Sequence, residues 1–225
     1  MIDGILNIYK PSGITSHGVV SRIRKLFGIK RVGHAGTLDP LATGVLIILL
    51  GKSTKLFDRF VNTDKAYRAT LLLGQTTDSA DIQGEVIQQN PIDRITPEQV
   101  RNAFACFQGE LQQIPPMYSA LKYKGKKLYE LARQGITVQR DPRHITIYKL
   151  EIEGMCFPEV SFYLECSKGT YVRQLAEDIG ARLKCGACIS KIERTKVGEF
   201  DICQSVKLED VNESHIQHWP SQTRS

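Results

Sequence analysis

The chain has 225 residues, of which 41% are hydrophobic and 24% charged, and its formal net charge is +6. This composition excludes a mainly disordered or fibrous chain, and the length is sufficient for a core without disulfides or a metal. The longest apolar run, residues 45–50, is far shorter than the roughly 20 residues of a membrane-spanning helix. The start of the sequence lacks the pattern of a secretory signal, so we expect a cytoplasmic protein without membrane association.

Hydrophobic patterning and turn residues predict short strands and one helix in the first part of the chain. Ser16 can accept a hydrogen bond at the start of an amphipathic helix, and Gly28 can end that helix in a left-handed conformation. The run at residues 45–50 is apolar at every position, which is typical of a strand buried on both faces. In chain order we predict a strand at residues 5–8, a helix at 16–28, a glycine-rich loop at 31–44 and strands at 45–50 and 67–73.

Further helices and strands alternate irregularly in the rest of the chain. Thr96, Pro97 and Gln99 have the spacing of a capping box at the start of a helix. In chain order we predict a helix at residues 96–109, a short helix at 128–134, strands near 143–153 and 159–166, a helix at 171–183 and a last strand near 191–197. The irregular alternation predicts the α+β class, with a mixed and mostly antiparallel sheet. The glycine-rich motifs that bind nucleotide phosphates are missing, so no nucleotide cofactor is expected.

Basic residues are concentrated between residues 116 and 149, where eight lysines and arginines stand against two acidic residues. Three tyrosines are interleaved with the lysines. Because cations reach phosphates and tyrosine rings stack on unpaired bases, this pattern indicates a nucleic-acid partner, which a second basic stretch at residues 22–31 supports. The alternative for the lysine run is a solvated loop. The candidate RNA contacts in the segment are Lys122, Lys124, Lys126, Lys127 and Arg133.

Two of the six cysteines, Cys185 and Cys188, have the CxxC spacing of some zinc and redox sites. No second pair and no suitably spaced histidines accompany them. We therefore expect a tight glycine turn with two partly buried, reduced thiols, and no metal site.

Asp39 is the residue that the sequence itself offers as a catalytic group. It lies in a loop, residues 33–44, that contains three glycines and one proline and leads directly into the apolar strand. Pro40 biases Asp39 toward an extended backbone, and a constrained loop beside a rigid strand is a suitable support for a nucleophile or a base. The alternative is a turn aspartate that bonds its own backbone.

Five segments of the chain, rather than a single motif, resemble one protein family. The loop sequence GHAGTLDPLATGVL closely resembles the catalytic motif of the TruB family of tRNA pseudouridine synthases. Other motifs of that family are resembled, in the same order, by LNIYKPSGITS, KAYRATLLLGQTTDSADIQGEV, PPMYSALKYKGKKLYELARQG and CSKGTYVRQLAEDIG. Together these segments cover most of residues 4–197, which makes the resemblance highly specific.

The resemblance implies the pseudouridine synthase fold, a mixed and mostly antiparallel sheet flanked by helices. It implies a catalytic domain over residues 1–200, with an insertion at about residues 115–142 that grips RNA. Residues 201–225 are then expected to be a short acidic C-terminal tail, without the PUA-like RNA-binding domain that many bacterial members carry. A second departure is Glu193, which stands where an arginine is common in the family.

The resemblance also implies roles for individual residues. They are Asp39 as the catalytic residue, Tyr67, Tyr171, Arg173 and Ile192 in the active-site pocket, and His34, Lys10 and Lys55 as RNA contacts. Arg173 would pair with Asp39 and keep it ionised. If Tyr171 and Arg173 are both functional, their helix must begin near Gly169. For Lys10 the alternative is a support of the first turn of the chain.

The implied activity is the conversion of uridine to pseudouridine in the T-loop of tRNA, at position 55. The target base must leave its stack, and a carboxylate nucleophile can hold an intermediate while the base turns. No cofactor and no metal are implied, and the expected partner of the monomeric protein is the T-arm stem-loop of tRNA. The alternative is a non-catalytic RNA-binding or tRNA-folding protein that uses the same groove, and only the enzyme needs Asp39.

Overall fold

The computed structural model describes residues 2–219. Within this range the chain forms two compact units, one made of residues 2–67 and 192–219 and the other of residues 68–191. None of the helices in the described range has the length and hydropathy of a membrane-spanning segment.

The first unit contains the elements β1 (Gly4–Lys10), α1 (Ser16–Phe27), β2 (Val32–Ala35), β3 (Thr43–Leu50), α2 (Phe57–Val61), the start of β4 (Lys65–Leu73), the end of β12 (Ala187–Val197), β13 (Phe200–Asp201) and β14 (Val206–Lys207). Its mixed sheet has the strand order β14–β1–β3–β12, in which β2 also pairs with β3 and β13 with β12. Strands β1 and β2 are antiparallel to β3, whereas β12 is parallel to β3 and β14 is parallel to β1.

Strand β3 is the central strand that its apolar sequence predicted, because both of its faces are covered. Leu46 and Ile48 belong to a cluster of buried residues that includes Val19 of α1. Ile47, which points the other way, belongs to a second cluster that includes Phe60 of α2. Burial on both sides explains why no polar residue interrupts this strand.

Helix α1 confirms the predicted helix, but its cap lies one residue earlier than expected. The Thr15 hydroxyl accepts a hydrogen bond from the Gly18 amide at 2.9 Å, so Thr15 is the N-cap. Ser16 is buried instead and bonds the backbone of Leu38. Gly28 ends the helix in the left-handed conformation, with φ 63°, as predicted.

The prediction of an uninterrupted loop over residues 31–44 is wrong, because residues 32–35 form strand β2. This strand pairs with β3 along four residues, with His34 opposite Ile48. Its ends, Val32 and Ala35, are buried, but the two central residues are a glycine and a histidine. Such a short segment has no apolar alternation that could have identified it as a strand.

The C-terminal segment is a packed part of the first unit. Strand β14 adds to the free edge of β1, and Gln217 then exchanges two backbone hydrogen bonds of 2.9 Å with Ile5. The Trp219 ring lies edge-on to the Phe60 ring at 5.4 Å. The described part of the predicted acidic tail therefore completes the sheet, and residues 220–225 of that tail lie outside the described residues.

The second unit contains the rest of β4, β5 (Gln75–Thr77), β6 (Val86–Gln89), α3 (Pro97–Ala105), β7 (Gly109–Gln113), β8 (Lys122–Tyr123), β9 (Lys126–Lys127), α4 (Leu128–Ala132), β10 (Arg143–Cys156), β11 (Glu159–Cys166), α5 (Val172–Arg182) and the start of β12. The strand order is β4–β11–β10–β7, with antiparallel pairing of β10 with both β11 and β7. The predicted helices and strands of this part are confirmed. The capping box is present, with Thr96 and Gln99 bonding each other's backbone amides.

The region predicted as an RNA-gripping insertion contains a small hairpin and a short helix. Strands β8 and β9 are joined by Lys124 and Gly125, whose φ angles are 47° and 86°. Two consecutive left-handed residues form the tight turn that suits the twist of a two-residue hairpin, and glycine adopts this conformation without a steric penalty. Helix α4 follows β9 directly and buries Leu128 and Leu131.

The CxxC segment is a glycine turn, as expected. Cys185 and Cys188 are both buried, and Gly186 between them has φ 74°. Burial raises the pKa of the Cys188 thiol to about 11. Among residues 2–219, no three histidine, cysteine or acidic side chains are arranged so that they could hold a metal ion.

Candidate active site

Asp39 lies half-buried in the loop between β2 and β3, in the first unit. Its backbone carbonyl accepts a hydrogen bond from the Ala42 amide at 3.1 Å, so residues 39–42 form a turn. The carboxylate acts electrostatically on Lys10 and on Arg194, both of which are buried. The loop therefore presents the aspartate next to two buried cations of the same unit.

Hydrogen bonds hold the backbone on both sides of Asp39. On the N-terminal side, the Ser16 hydroxyl donates to the Leu38 carbonyl at 2.9 Å and accepts from the Leu38 amide at 2.8 Å. On the C-terminal side, the Gly13 amide donates to the Pro40 carbonyl at 2.9 Å. A single buried hydroxyl thus fixes both polar groups of the preceding residue, which is the support that a catalytic side chain requires.

Lys10 is a buried support of the same loop. Its ammonium donates to the carbonyls of Pro11 and Ile14, each at 2.8 Å, and to that of Pro40 at 3.4 Å. Burial lowers the pKa of Lys10 to about 8, and the nearby Asp39 opposes this effect. The side chain has no exposed surface for a phosphate, so its placement supports the alternative in which Lys10 stabilises the turn.

Arg194, on β12, is almost fully buried and has the largest volume of the fully buried side chains in residues 2–219. Its Nε donates to the Val45 carbonyl at 2.8 Å, Nη2 to the Gly36 carbonyl at 3.0 Å and Nη1 to the Thr37 carbonyl at 3.5 Å. One guanidinium group therefore connects the backbone that precedes Asp39 with the strand that follows it.

A glycine makes this arrangement possible. Gly44 is the register partner of Arg194 in the parallel pair of β3 and β12, and its φ is 97°. A Cβ atom at this position would lie 2.8 Å from the Arg194 amide nitrogen and would overlap its carbonyl oxygen. The close approach of the two strands, which brings Arg194 to the loop, therefore needs a residue without a side chain.

The electrostatics of the site connect Arg194 with two predicted site residues. Burial lowers the pKa of Arg194, whereas the hydroxyl of Tyr67 and the carboxylate of Asp39 act in the opposite direction and favour the charged form. An arginine side chain stays protonated in proteins. The first unit thus brings Asp39, Tyr67 and a permanent buried cation into one interacting group.

His34, on β2, belongs to the same group. Burial, together with the charges of Arg194 and His17, lowers the pKa of His34 to about 4. The imidazole is therefore neutral near pH 7. Its Nδ1 atom is buried and has no hydrogen-bond partner within the described chain.

The other predicted pocket residues of the first unit lie on β4 and β12. Tyr67 is 8% exposed, and Ile192 is partly buried against the cluster that contains Leu38. Glu193, the departure from the family pattern, accepts a hydrogen bond of 2.8 Å from the Tyr9 hydroxyl. The unusual carboxylate therefore has a partner of its own on β1.

Tyr171 is the N-cap of α5, which begins at Val172, one residue after the predicted start of this helix. The Gln113 side chain donates to the Tyr171 carbonyl at 3.1 Å and accepts from the Tyr171 amide at 2.8 Å. Both polar groups of the Tyr171 backbone are thereby bonded to a side chain from β7. The partner is 58 residues away, so no local sequence pattern could reveal it.

Arg173 is buried in the first turn of α5, in the second unit. Its Nη1 donates to the Ser79 carbonyl at 2.6 Å and lies 3.7 Å from Oδ2 of Asp81, and its Nη2 donates to the Tyr118 carbonyl at 2.8 Å. Arg173 therefore connects α5 with the base of the insertion. Its pairing with Asp39, which the family resemblance implies, stays a prediction.

The basic side chains of the insertion surround tyrosine rings. Lys127 Nζ and Arg133 Cζ lie 5.4 and 5.5 Å from the centroid of the Tyr129 ring, and Lys124 Nζ lies 5.5 Å from that of Tyr123. Cations and aromatic faces are thus presented together, as a surface for phosphates and unstacked bases requires. The exposed members of the predicted set of RNA contacts are Lys55, Lys122, Lys124, Lys126 and Arg133.

Two residues of the site were missed in the sequence. The position of Ser16 in the sequence predicts a helix cap, and Arg194, two positions after Ile192, has no predicted role. Residues i and i+2 of a strand point to the same face, which was a usable signal that Arg194 faces the same side as the predicted pocket residue. Its carbonyl partners come from other elements and could not be predicted from local sequence.

The described fold is that of the pseudouridine synthases. The chain is similar to a solved structure described as a Cbf5–Nop10–Gar1 complex, with 30% identity and a TM-score of 0.72 over 92% of this chain and 53% of that one. A second, described as an H/ACA RNP bound to a substrate RNA containing 2′-deoxyuridine, has 26% identity and a TM-score of 0.68 over 92% and 51% of the two chains. The chain thus spans about half the length of these solved chains.

The chain belongs to the TruB family of pseudouridylate synthases. Residues 24–172 match the N-terminal domain of that family, and residues 173–223 match the C-terminal domain of tRNA pseudouridylate synthase B. A protein of Clostridium tetani named tRNA pseudouridine synthase B is 51% identical over 97% of this chain and 75% of its own length. A protein of Endomicrobium trichonymphae, also named tRNA pseudouridine synthase B, is 48% identical over 94% of this chain and 92% of its own length.

Proposed function

We propose that this protein converts uridine to pseudouridine in tRNA. The observation that carries the proposal is Asp39, which Ser16, Gly13 and Arg194 hold on a fixed loop in a chain of the TruB family. A carboxylate that is supported on both sides and lies near a buried tyrosine suits a nucleophile that must meet one atom of a flipped nucleotide.

The reaction balances without any external group. The N1–C1′ bond of the uridine breaks and a C5–C1′ bond forms, while C5 loses a proton and N1 gains one. Nothing is oxidised or reduced. Asp39 acts as the nucleophile that holds the intermediate while the base turns. The family resemblance assigns Tyr67, Tyr171 and Ile192 to the pocket for the base.

The finer part of the proposal is that the target is the T-loop of tRNA, at position 55, and that the enzyme acts as a monomer in the cytoplasm. The T-loop assignment rests on the family resemblance. The basic hairpin with its tyrosines supports it, because a stem-loop offers both closely spaced phosphates and unpaired bases. Arg173, which bonds the carbonyl of Tyr118 in the insertion, supports a direct connection between the hairpin and α5.

The direct test is mapping of pseudouridine in an unmodified tRNA transcript that has been incubated with the purified protein and no cofactor. We expect one modified position in the T-loop. Asp39→Asn removes the charge but keeps the size of the side chain, so it should abolish the reaction and leave RNA binding near normal. Asp58→Asn, at an exposed aspartate of α2 in the same unit, is the matched control and should keep full activity.

An isolated T-arm hairpin distinguishes T-arm recognition from recognition of the whole tRNA. At matched salt we expect a catalytic efficiency within about tenfold of that for tRNA. A hairpin that is more than about a hundredfold worse would place roughly 2.7 kcal/mol of transition-state stabilisation outside the T-arm. If RNA binds normally but no uridine is converted, the non-catalytic RNA-binding alternative replaces the proposal.

A further inference from the structure

We infer that Arg194 is a positioning residue for this reaction. Its side chain holds the loop that carries Asp39 and also interacts with Tyr67. The inference rests on the proposed function, because it concerns the same site. Its basis is one guanidinium group that bonds the backbone on both sides of the aspartate, at Gly36 and Val45.

The geometry requires an arginine. Three nitrogens of Arg194 donate to three carbonyls, two of them before Asp39 in the chain and one in β3. A planar guanidinium can serve several acceptors in fixed directions at once, whereas a lysine ammonium is a single point. With Arg194 in place, the segment that carries Asp39 cannot move away from the start of β3 without breaking these bonds.

Stability alone does not account for this residue. Burial of a charge is costly, and an apolar side chain of similar volume at such a site is often as stabilising or more so. Arg194 is 2% exposed and nevertheless carries a permanent charge, which Asp39 and Tyr67 partly compensate. The charge of Arg194 therefore lies beside the Asp39 carboxylate and the Tyr67 hydroxyl. A purely structural role would not require a charge at that place.

The local fold is adapted to this side chain. Gly44 leaves the space that the Arg194 backbone occupies, and Gly36, with φ 86°, turns its carbonyl toward the guanidinium. Both glycines lie in the loop that contains Asp39 or directly at its end. Both glycines have backbone conformations that are unfavourable for other residues, and both conformations serve the contact with Arg194.

The test compares Arg194→Lys and Arg194→Met with Val197→Ala. Val197 lies on the same strand, is fully buried and packs in the cluster around Ile47 and Phe60, so this control lowers stability without touching the site. Three quantities are measured for each variant: the melting temperature, the Kd for tRNA, and the single-turnover rate of pseudouridine formation with enzyme in excess at saturating concentration.

We expect Arg194→Met to lower the single-turnover rate about a hundredfold and Arg194→Lys about tenfold, since a displaced loop misplaces the nucleophile. The Kd should stay within about threefold of wild type, because the loss concerns the chemical step and not binding. Val197→Ala should keep the wild-type rate per folded molecule, even if its melting temperature falls as much as that of the Arg194 variants.

A rate for Arg194→Lys within about threefold of that for Val197→Ala would show that Arg194 is merely structural, and it would overturn the inference even if Arg194→Met does not fold. A loss confined to the Kd would overturn it as well. If wild type forms pseudouridine and the variants behave in this way, the inference fails and the proposed function stands. If wild type forms none, the proposed function itself fails.

Discussion

The low pKa of His34 makes a quantitative prediction about acid stability. The pKa falls from 6.5 in a free histidine to about 4 in the folded protein, because the side chain is buried near Arg194 and His17. Between these two values the unfolded chain takes up a proton and the folded chain does not, so the free energy of unfolding falls as the pH falls through 6.5 toward 4. The full loss is on the order of 3 kcal/mol, and most of it is reached at pH 4.5.

The test replaces His34 with glutamine and measures the free energy of unfolding in urea at pH 7.5 and pH 4.5. The wild-type protein should lose roughly 2 to 3 kcal/mol more than His34→Gln between the two pH values, because the variant has no group to protonate at this position. His144→Gln, at an exposed histidine of β10, is the control and should retain the wild-type loss. Equal losses in wild type and His34→Gln would refute the argument.

A neutral His34 also constrains its predicted contact with RNA. At pH 7.5 the imidazole cannot neutralise a phosphate, so it can contribute only hydrogen bonding or stacking. His34→Gln should therefore leave the slope of log Kd against log salt unchanged, even if the affinity falls. A slope that decreases by about one would show that His34 is charged in the complex.

Two further predictions concern other parts of the chain. Replacement of the four lysines of residues 122–127 by alanine should weaken tRNA binding and lower the salt slope by roughly one for each lost phosphate contact, and an unchanged slope would favour a merely solvated loop. Gly44→Ala should lower the free energy of unfolding by more than about 2 kcal/mol, because the new Cβ overlaps the backbone of Arg194; a urea titration that shows wild-type stability would contradict this packing.

The sequence was sufficient for those elements whose signals are local. A few neighbouring residues are enough to predict such an element. Examples are the continuous apolar run of β3, the capping box at Thr96 and the left-handed glycine that ends α1. The limits appear where a partner is distant. The Gln113 side chain bonds both backbone polar groups of Tyr171, and no pattern in the sequence around Tyr171 predicts that partner.

The candidate site follows the same division. Asp39 could be selected because glycines and a proline surround it in sequence. The support that Ser16 and Arg194 give to its loop could not be predicted, because both side chains bond backbone carbonyls and amides, which almost every residue possesses. A hydrogen bond from a side chain to a distant backbone group leaves no specific pattern at its acceptor, so the support of the aspartate became visible only in the folded chain.

The C-terminal segment shows what composition alone does not predict. Its polar and acidic residues predict a short acidic tail, and they do not predict how that tail packs. Two kinds of contact hold the segment. Its backbone pairs with the edge of β1, and the centroid of the Trp219 ring lies 5.4 Å from that of Phe60 and 5.9 Å from that of Phe200. Edge pairing depends on backbone groups and is therefore compatible with almost any side chains.

This packing predicts that the C-terminal segment is required for stability. Termination after Ser205 would remove β14, the Gln217 bridge and Trp219, and it would expose the edge of β1, so we expect aggregation or a loss of more than about 3 kcal/mol in urea unfolding. Trp219→Ala should cost about 2 kcal/mol, since the ring is only partly buried. Gly4→Ala tests the same seam without shortening the chain, because its Cβ would lie 2.9 Å from the Gln217 carbonyl oxygen and should separate that bridge. Wild-type stability in all three variants would contradict the stabilising role of this packing.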